Sequence, residues 1–272
     1  MGHVVRGNYQ NGERMSQTVN NQFATEAGHW YRPDGSPCYS IESKDGTPRP
    51  TTLRDARKLG LLPSVTTISK IVAAPGLERW KLNQAILSAL TIPRIEGESD
   101  ENLIYRIIQD GQEQSRKRAQ EGTAIHGSLE KAFTGSYPGS YSIEHAPYVH
   151  AVMSEIKERW GMDRWSAERS FAGNLGYGGK VDLHRPDIVI DFKTKEFDTV
   201  DDKKLAWPEN AMQLAAYREG LQMSDAECFN IFVSTTRPGL VHVHQWTEIE
   251  LQNGWEKFKC LLHYWKLDKG IK

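Results

Sequence analysis

Apolar positions along the chain fall into blocks whose period changes. Over "LERWKLNQAILSAL" (77–90) they recur at helical spacing, and Pro93 sets the stop. A long helix is predicted from about 101 to 133, interrupted near Gly111 and Gly122, followed by a loop at "GSYPGSYSIEH" and a helix over 146–160. Beyond residue 164 the runs shorten and favour Ile, Val and Phe. They predict strands at 165–172, 177–184 and 187–194, the last two joined by the tight turn "HRPD". A helix over 208–222, strands over 227–235 and 239–246 and a helix over 248–267 complete the order. Upstream, "HWYRPDGSPCYSI" predicts a hairpin turning at Pro33-Asp34-Gly35-Ser36. "TTLRDARKLGLLPSVTTISKIV" predicts short helical pieces broken at Gly60 and Pro63.

Helix, three strands, helix, two strands, helix implies an α/β fold: a mixed central β-sheet flanked by helices. The pattern divides the chain into a flexible, Asn/Gln-rich segment (1–25), an N-terminal hairpin and helical extension (26–110) and an α/β core (111–272).

Composition narrows the functional classes. At 272 residues, with 38% hydrophobic and 25% charged content, the chain supports a sizeable globular core. No apolar run reaches the ~18 residues a membrane helix needs, and the first residues lack an apolar signal core. Cys38, Cys228 and Cys260 are odd in number and far apart, which suits a reducing compartment. The expectation is a cytoplasmic protein with no membrane partner. A net charge of −1 argues against a uniformly basic nucleic-acid binder but allows a local grip assisted by bound cations.

The candidate chemistry lies in "GYGGKVDLHRPDIVIDFKTK" (176–195), which puts Asp182 on one apolar strand and Asp191 and Lys193 on the next. Buried carboxylates need an opposite charge or a metal. Placed near the ends of adjacent strands, the two acids can converge on one hard cation, Mg²⁺ or Mn²⁺. Lys193, two residues after Asp191, shares its strand face and can offset charge on a transferring phosphate. Asp-x-Lys alone also describes an ordinary surface ion pair. In "EGTAIHGSLEKAF", His126 and Glu130 share a helix face, and in "ENAMQLAAYREGL" so do Gln213 and Tyr217. His242 and His244 in "VHVH" have metal-ligand spacing but no partner at matching spacing, and "SRKR" (115–118) reads as a solvated face that could contact phosphates.

In order, G-T-x-x-H-x-x-L-E, G-x-x-D, D-x-K-T and Q-x-x-x-Y resemble the RecB-type nucleases of the PD-(D/E)xK superfamily, over roughly residues 118–222. "LLPSVTTI" and "LERWK" are similar to the mitochondrial genome-maintenance exonuclease branch and its phage relatives, extending the resemblance to about 60–235. Val181 stands where the superfamily has its naming proline, and Asp191 where many members have Glu. The resemblance implies a restriction-endonuclease-like core and a metal-dependent DNA exonuclease. It makes His126, Asp182, Asp191 and the Phe192 carbonyl metal ligands, and Lys193 the catalytic lysine. Gln213 and Tyr217 would steady the lysine or the DNA backbone. Glu168 would reach a second metal or the His126 helix, with Glu130 a further candidate. Tyr177 and Trp207 are candidates for stacking on bases, and the glycines of "GYGGK" for letting a phosphate backbone approach. The iron–sulfur branch needs four cysteines, so that cofactor is not implied. The expected partner is DNA, single-stranded or bearing a free end. The rival expectations are an endonuclease of the same fold and a non-catalytic DNA-binding protein on a nuclease scaffold.

Overall fold

The computed structural model describes residues 29–72, 75–135, 141–201 and 205–271. The segment 1–25 lies outside the described residues. The described chain opens with β1 (Trp30–Tyr31), β2 (Ser40–Glu42), β3 (Pro48–Pro50), α1 (Leu53–Leu59), β4 (Leu62–Pro63) and α2 (Val65–Ser69). Helix α1 is fixed at its start by a capping box, in which Thr52 and Asp55 satisfy each other's backbone N–H groups, and at its end by Gly60 in the left-handed conformation. The predicted turn at Pro33–Ser36 forms, with Asp34 Oδ1 accepting the Ser36 N–H at 2.8 Å. The hairpin it closes is short: Cys38 N–H donates to the Trp30 carbonyl and Arg32 N–H to the Ser36 carbonyl, each at 2.8 Å, around the Tyr31–Pro37 bridge, and β1 also pairs antiparallel with β4.

Two helices follow as an antiparallel pair, α3 (Pro75–Thr91) and α4 (Asp100–Phe133). The breaks expected in α4 are absent. Gly111 and Gly122 serve close approach instead: a Cβ on Gly111 would lie 3.5 Å from the Ala85 backbone, and one on Gly122 would meet Thr194 Oγ1 at 2.6 Å. After α5 (Ala146–Trp160) come β5 (Ser166–Gly173), β6 (Tyr177–Arg185), β7 (Ile188–Lys195), α6 (Pro208–Gly220), β8 (Glu227–Ser234), β9 (Val241–Gln245) and α7 (Glu248–Lys269). These bounds lie within a few residues of the sequence expectation.

The central sheet runs β5-β6-β7-β8-β9, antiparallel except for the parallel pair β7–β8, which α6 connects. It is the expected mixed sheet flanked by helices. Leu183, Ile190, Ile231 and Val233 pack with Ile125 and Val152 of α4 and α5 on one face. Val181, Val189 and Cys228 pack with Ile68, Ala215 and Phe258 of α2, α6 and α7 on the other. Next to their turn, β6 and β7 pair through Arg185↔Ile188, His184↔Val189 and Leu183↔Ile190. One step further, a side chain replaces the backbone ladder: Asp182 Oδ2 accepts the Phe192 N–H at 2.7 Å. No described helix is long and apolar enough to cross a membrane.

Candidate active site

The departure of β6 from β7 opens the sheet where three elements meet: α4 above, β7 in the centre and α6 below. Asp182 and Asp191 lie inside their strands, three or more residues from the turn, rather than at strand ends as expected. Asp191 is 2% exposed, and donors surround its carboxylate. Lys193 Nζ lies 2.7 Å from Oδ2, Asn230 Nδ2 donates to the same oxygen at 2.7 Å, and Gln213 Nε2 donates to Oδ1 at 3.1 Å. Gln213 Oε1 in turn accepts from Lys193 Nζ at 3.0 Å, and its amide also donates to Tyr217 Oη at 2.7 Å. Lysine, glutamine and tyrosine therefore form one chain of hydrogen bonds, made possible by the one-turn spacing of Gln213 and Tyr217 on α6.

On the α4 side, His126 Nε2 lies 2.7 Å from the Phe192 carbonyl oxygen. That oxygen can only accept, so Nε2 carries the proton. His126 Nδ1 is 3.8 Å from Asp182 Oδ2. Burial, and secondarily the charge of Asp191, pushes the Asp182 carboxyl up to about 6. Burial, followed by the charges of Asp191 and Asp182, holds the Tyr217 hydroxyl well above its ordinary value, so it stays protonated.

Above these groups lies a cleft of about 1080 Å³. His126, Glu130, Glu168, Lys180 and Asp182 line its inner end, and Trp80, Arg118, Lys195 and Trp207 line the rest. Glu168 forms an ion pair with Lys180, and burial raises its pKa. Its backbone holds φ of +57°, a rare conformation for a side-chain-bearing residue inside a strand. Trp207 is 37% exposed at the cleft wall, where a ring can meet a ligand. Tyr177 is not so placed. Its ring is 1% exposed between Phe171 and Phe258, and its hydroxyl donates to the Ala216 carbonyl. Gly178 and Gly179 of "GYGGK" likewise admit rings rather than phosphates. A Cβ on Gly178 would sit 2.6 Å from Tyr31, and one on Gly179 2.6 Å from Phe171.

As they stand, no three His, Cys, Asp or Glu side chains among the described residues are grouped to hold an ion. The donor chemistry nevertheless fits a hard dication. Two carboxylates, a backbone carbonyl and one imidazole come together beside the cleft, which His126 and Asp182 line, and burial followed by the charge of Asp191 disfavours the charged form of Asp182. In this structure these donors contact one another and Lys193.

No family model matches the chain, and no curated relative does. Among solved structures it is similar to a protein described as a candidate exonuclease from Eubacterium rectale, at 13% identity over 56% of this chain and 68% of that one, with a TM-score of 0.41. It is also similar to an alkaline exonuclease from Laribacter hongkongensis, at 13% identity over 71% of this chain and 98% of that one, with a TM-score of 0.28. Likenesses this distant carry no functional argument, which has to come from the site itself.

Two contacts at the site were not expected from the sequence. Lys195 lies beside the rings of Trp207 and Phe232, and burial, with Lys193 secondarily, pushes its amine down to about 8. Its signal was the continuation of D-x-K by a second lysine on the same strand face. Asn230 is fully buried beside Asp191. Its signal was a lone amide in the apolar run "CFNIFV", where a polar residue has to be satisfied.

Proposed function

We propose that this protein is a metal-dependent deoxyribonuclease of the RecB type, hydrolysing phosphodiester bonds from free ends of single-stranded DNA. One observation carries the reading: Lys193 Nζ is held between Asp191 Oδ2 at 2.7 Å and Gln213 Oε1 at 3.0 Å, beside Asp182 and His126 at the head of the cleft. A structural ion pair would not need a second buried acid, an amide clamp and an open cleft at the same point.

His126, Asp182, Asp191 and the Phe192 carbonyl would hold Mg²⁺ or Mn²⁺. When bound, such an ion polarises a phosphate and makes a water more acidic. The chain's own groups do the rest. Lys193 offsets charge building on the phosphate, and Gln213 aims the ammonium so that it cannot swing into solvent. Tyr217, kept protonated, presents a neutral hydroxyl to Gln213. Lys195, and Arg118 within its ion pair with Glu196, are basic groups along the cleft, and Trp80 and Trp207 offer faces on which bases can stack, each worth about 1–3 kcal/mol. The sparse basic lining supports a single strand held partly by stacking, rather than a duplex held by its phosphates.

The test is digestion of circular single-stranded DNA beside its linearised form, with Mn²⁺. Loss of the linear form alone is expected. Equal loss of both would replace the exonuclease by an endonuclease, and no cleavage of either with DNA binding retained would make the chain a non-catalytic binder.

A further inference from the structure

The Asp191 carboxylate offers four lone-pair positions, and the structure accounts for three of them. Oδ2 takes both Lys193 Nζ and Asn230 Nδ2, each at 2.7 Å. Among the described residues, Oδ1 takes only Gln213 Nε2, at 3.1 Å. One position on Oδ1 remains. The rotation of the carboxylate about its own bond decides where that position points, so whatever sets the rotation sets the direction of the remaining lone pair.

Asn230 is the group best able to do so. It is the cross-strand neighbour of Asp191 in the parallel pair, fully buried, and it grips the residue twice, at Oδ2 and at the backbone carbonyl (3.1 Å). Lys193 and Gln213, by contrast, are only partly buried, so their positions can shift more readily. An asparagine amide can in principle flip, exchanging its donor for its acceptor. Here it cannot do so without loss. Trp246 Nε1, which can only donate, meets Asn230 Oδ1 at 2.7 Å inside the core. With the oxygen committed to the indole, the NH₂ has to face Asp191. Trp246 is itself 6% exposed, with its ring against His244 at 4.5 Å and its backbone N–H on the Cys228 carbonyl.

We infer that Asn230, oriented by the Trp246 indole, is a positioning residue that fixes the Asp191 carboxylate with Oδ1 as its cation-facing oxygen. The inference rests on the nuclease reading in that it takes Asp191 as a metal ligand. It adds a two-residue relay reaching from the edge of the sheet to that ligand.

The experiment titrates the full chain with Mn²⁺ alone, reading the dissociation constant by calorimetry and the melting temperature in parallel. Wild type, Asn230→Leu, Trp246→Phe and the double variant are compared. Asn230→Leu is expected to weaken Mn²⁺ binding by about 10–100-fold, the range for losing a residue that orients a metal ligand. Trp246→Phe should weaken it by less, since the amide keeps its bonds to Asp191 and loses only the anchor on its oxygen. The double variant should bind no more weakly than Asn230→Leu, because the indole acts only through the amide. A merely structural pair would lower the melting temperature and leave the affinities equal. Unchanged affinity in Asn230→Leu, or losses that add in the double variant, overturns the relay. If Asn230→Leu does not fold, Trp246→Phe decides alone, and wild-type affinity in it overturns the relay. If wild type itself takes up no Mn²⁺, the metal-dependent reading fails and the relay with it, an outcome distinct from the preceding ones.

Discussion

The Asp182 carboxylate accepts the backbone N–H of Phe192 at 2.7 Å, at the point where the ladder between their strands gives out. A side chain thus takes over a backbone acceptor's role, and the same oxygen lies 3.8 Å from His126. The acid that opens the sheet is also the acid that faces the cleft. Its substitution therefore has to be judged on stability and on activity separately.

Asp182→Asn keeps an oxygen for the Phe192 N–H and removes the charge. With the folded carboxyl at about 6 and the ordinary value at 3.8, the folded state holds a proton that the unfolded chain has released. Charge on this group therefore costs stability above pH 6, and the cost fades as pH falls toward 4. The metal-free asparagine variant should be more stable than wild type at pH 8, by on the order of 1–3 kcal/mol, and equal to it at pH 4. Urea denaturation at the two pH values, with chelator present, measures this. A variant less stable at pH 8 would mean the carboxylate is compensated by His126 and Lys193.

Lys193→Ala should lower the rate of DNA cleavage by about 10²–10³-fold, in line with loss of a single preorganised electrostatic group. Asp191→Ala and Asp182→Ala should each leave little measurable cleavage. Single-turnover rates on an end-labelled strand, at saturating Mn²⁺, report the chemical step. Turnover like wild type in any of the three removes that residue from the mechanism.

His126→Ala should weaken Mn²⁺ more than Mg²⁺, because imidazole is a better ligand for the softer ion. Cleavage titrated with each metal compares the two half-saturation points. Half-saturation points unchanged for both metals would reduce His126 to a packing residue held by the Phe192 carbonyl.

Gly179→Ala tests the aromatic wall behind the site. The new methyl would lie 2.6 Å from Phe171 Cζ and 3.1 Å from Tyr217 Cε1, so rings have to move. A loss of about 1–3 kcal/mol is expected from such overpacking. Because Tyr217 carries the hydrogen bond to Gln213, cleavage should fall too. Chemical denaturation and activity measured on the same sample check both. An unchanged melting curve would show that the wall yields freely.

How much of this was legible follows the range of each signal. The one-turn spacing of His126 with Glu130 and of Gln213 with Tyr217, the D-x-K on one strand face, and the order of strands and helices are local periodicities. Backbone geometry imposes these wherever the residues occur. They determined the mixed α/β fold and which of these side chains share a face, while their grouping into one site was what the resemblance of the motif order implied. What needed the tertiary structure was every choice between two environments for the same residue. Tyr177 and Trp207 are equally aromatic in sequence, but one lies in the core between Phe171 and Phe258 and the other at the cleft wall. Gly111 and Gly122 read as helix breaks, and only the backbone of α3 and the side chain of Thr194 close by show that they are points of close packing. Asn230 lies 39 residues from Asp191 along the chain, and no short-range pattern links them. Parallel pairing of β7 with β8 brings them together, and burial, which depends on what covers a residue and not on its neighbours in sequence, makes their hydrogen bond obligatory.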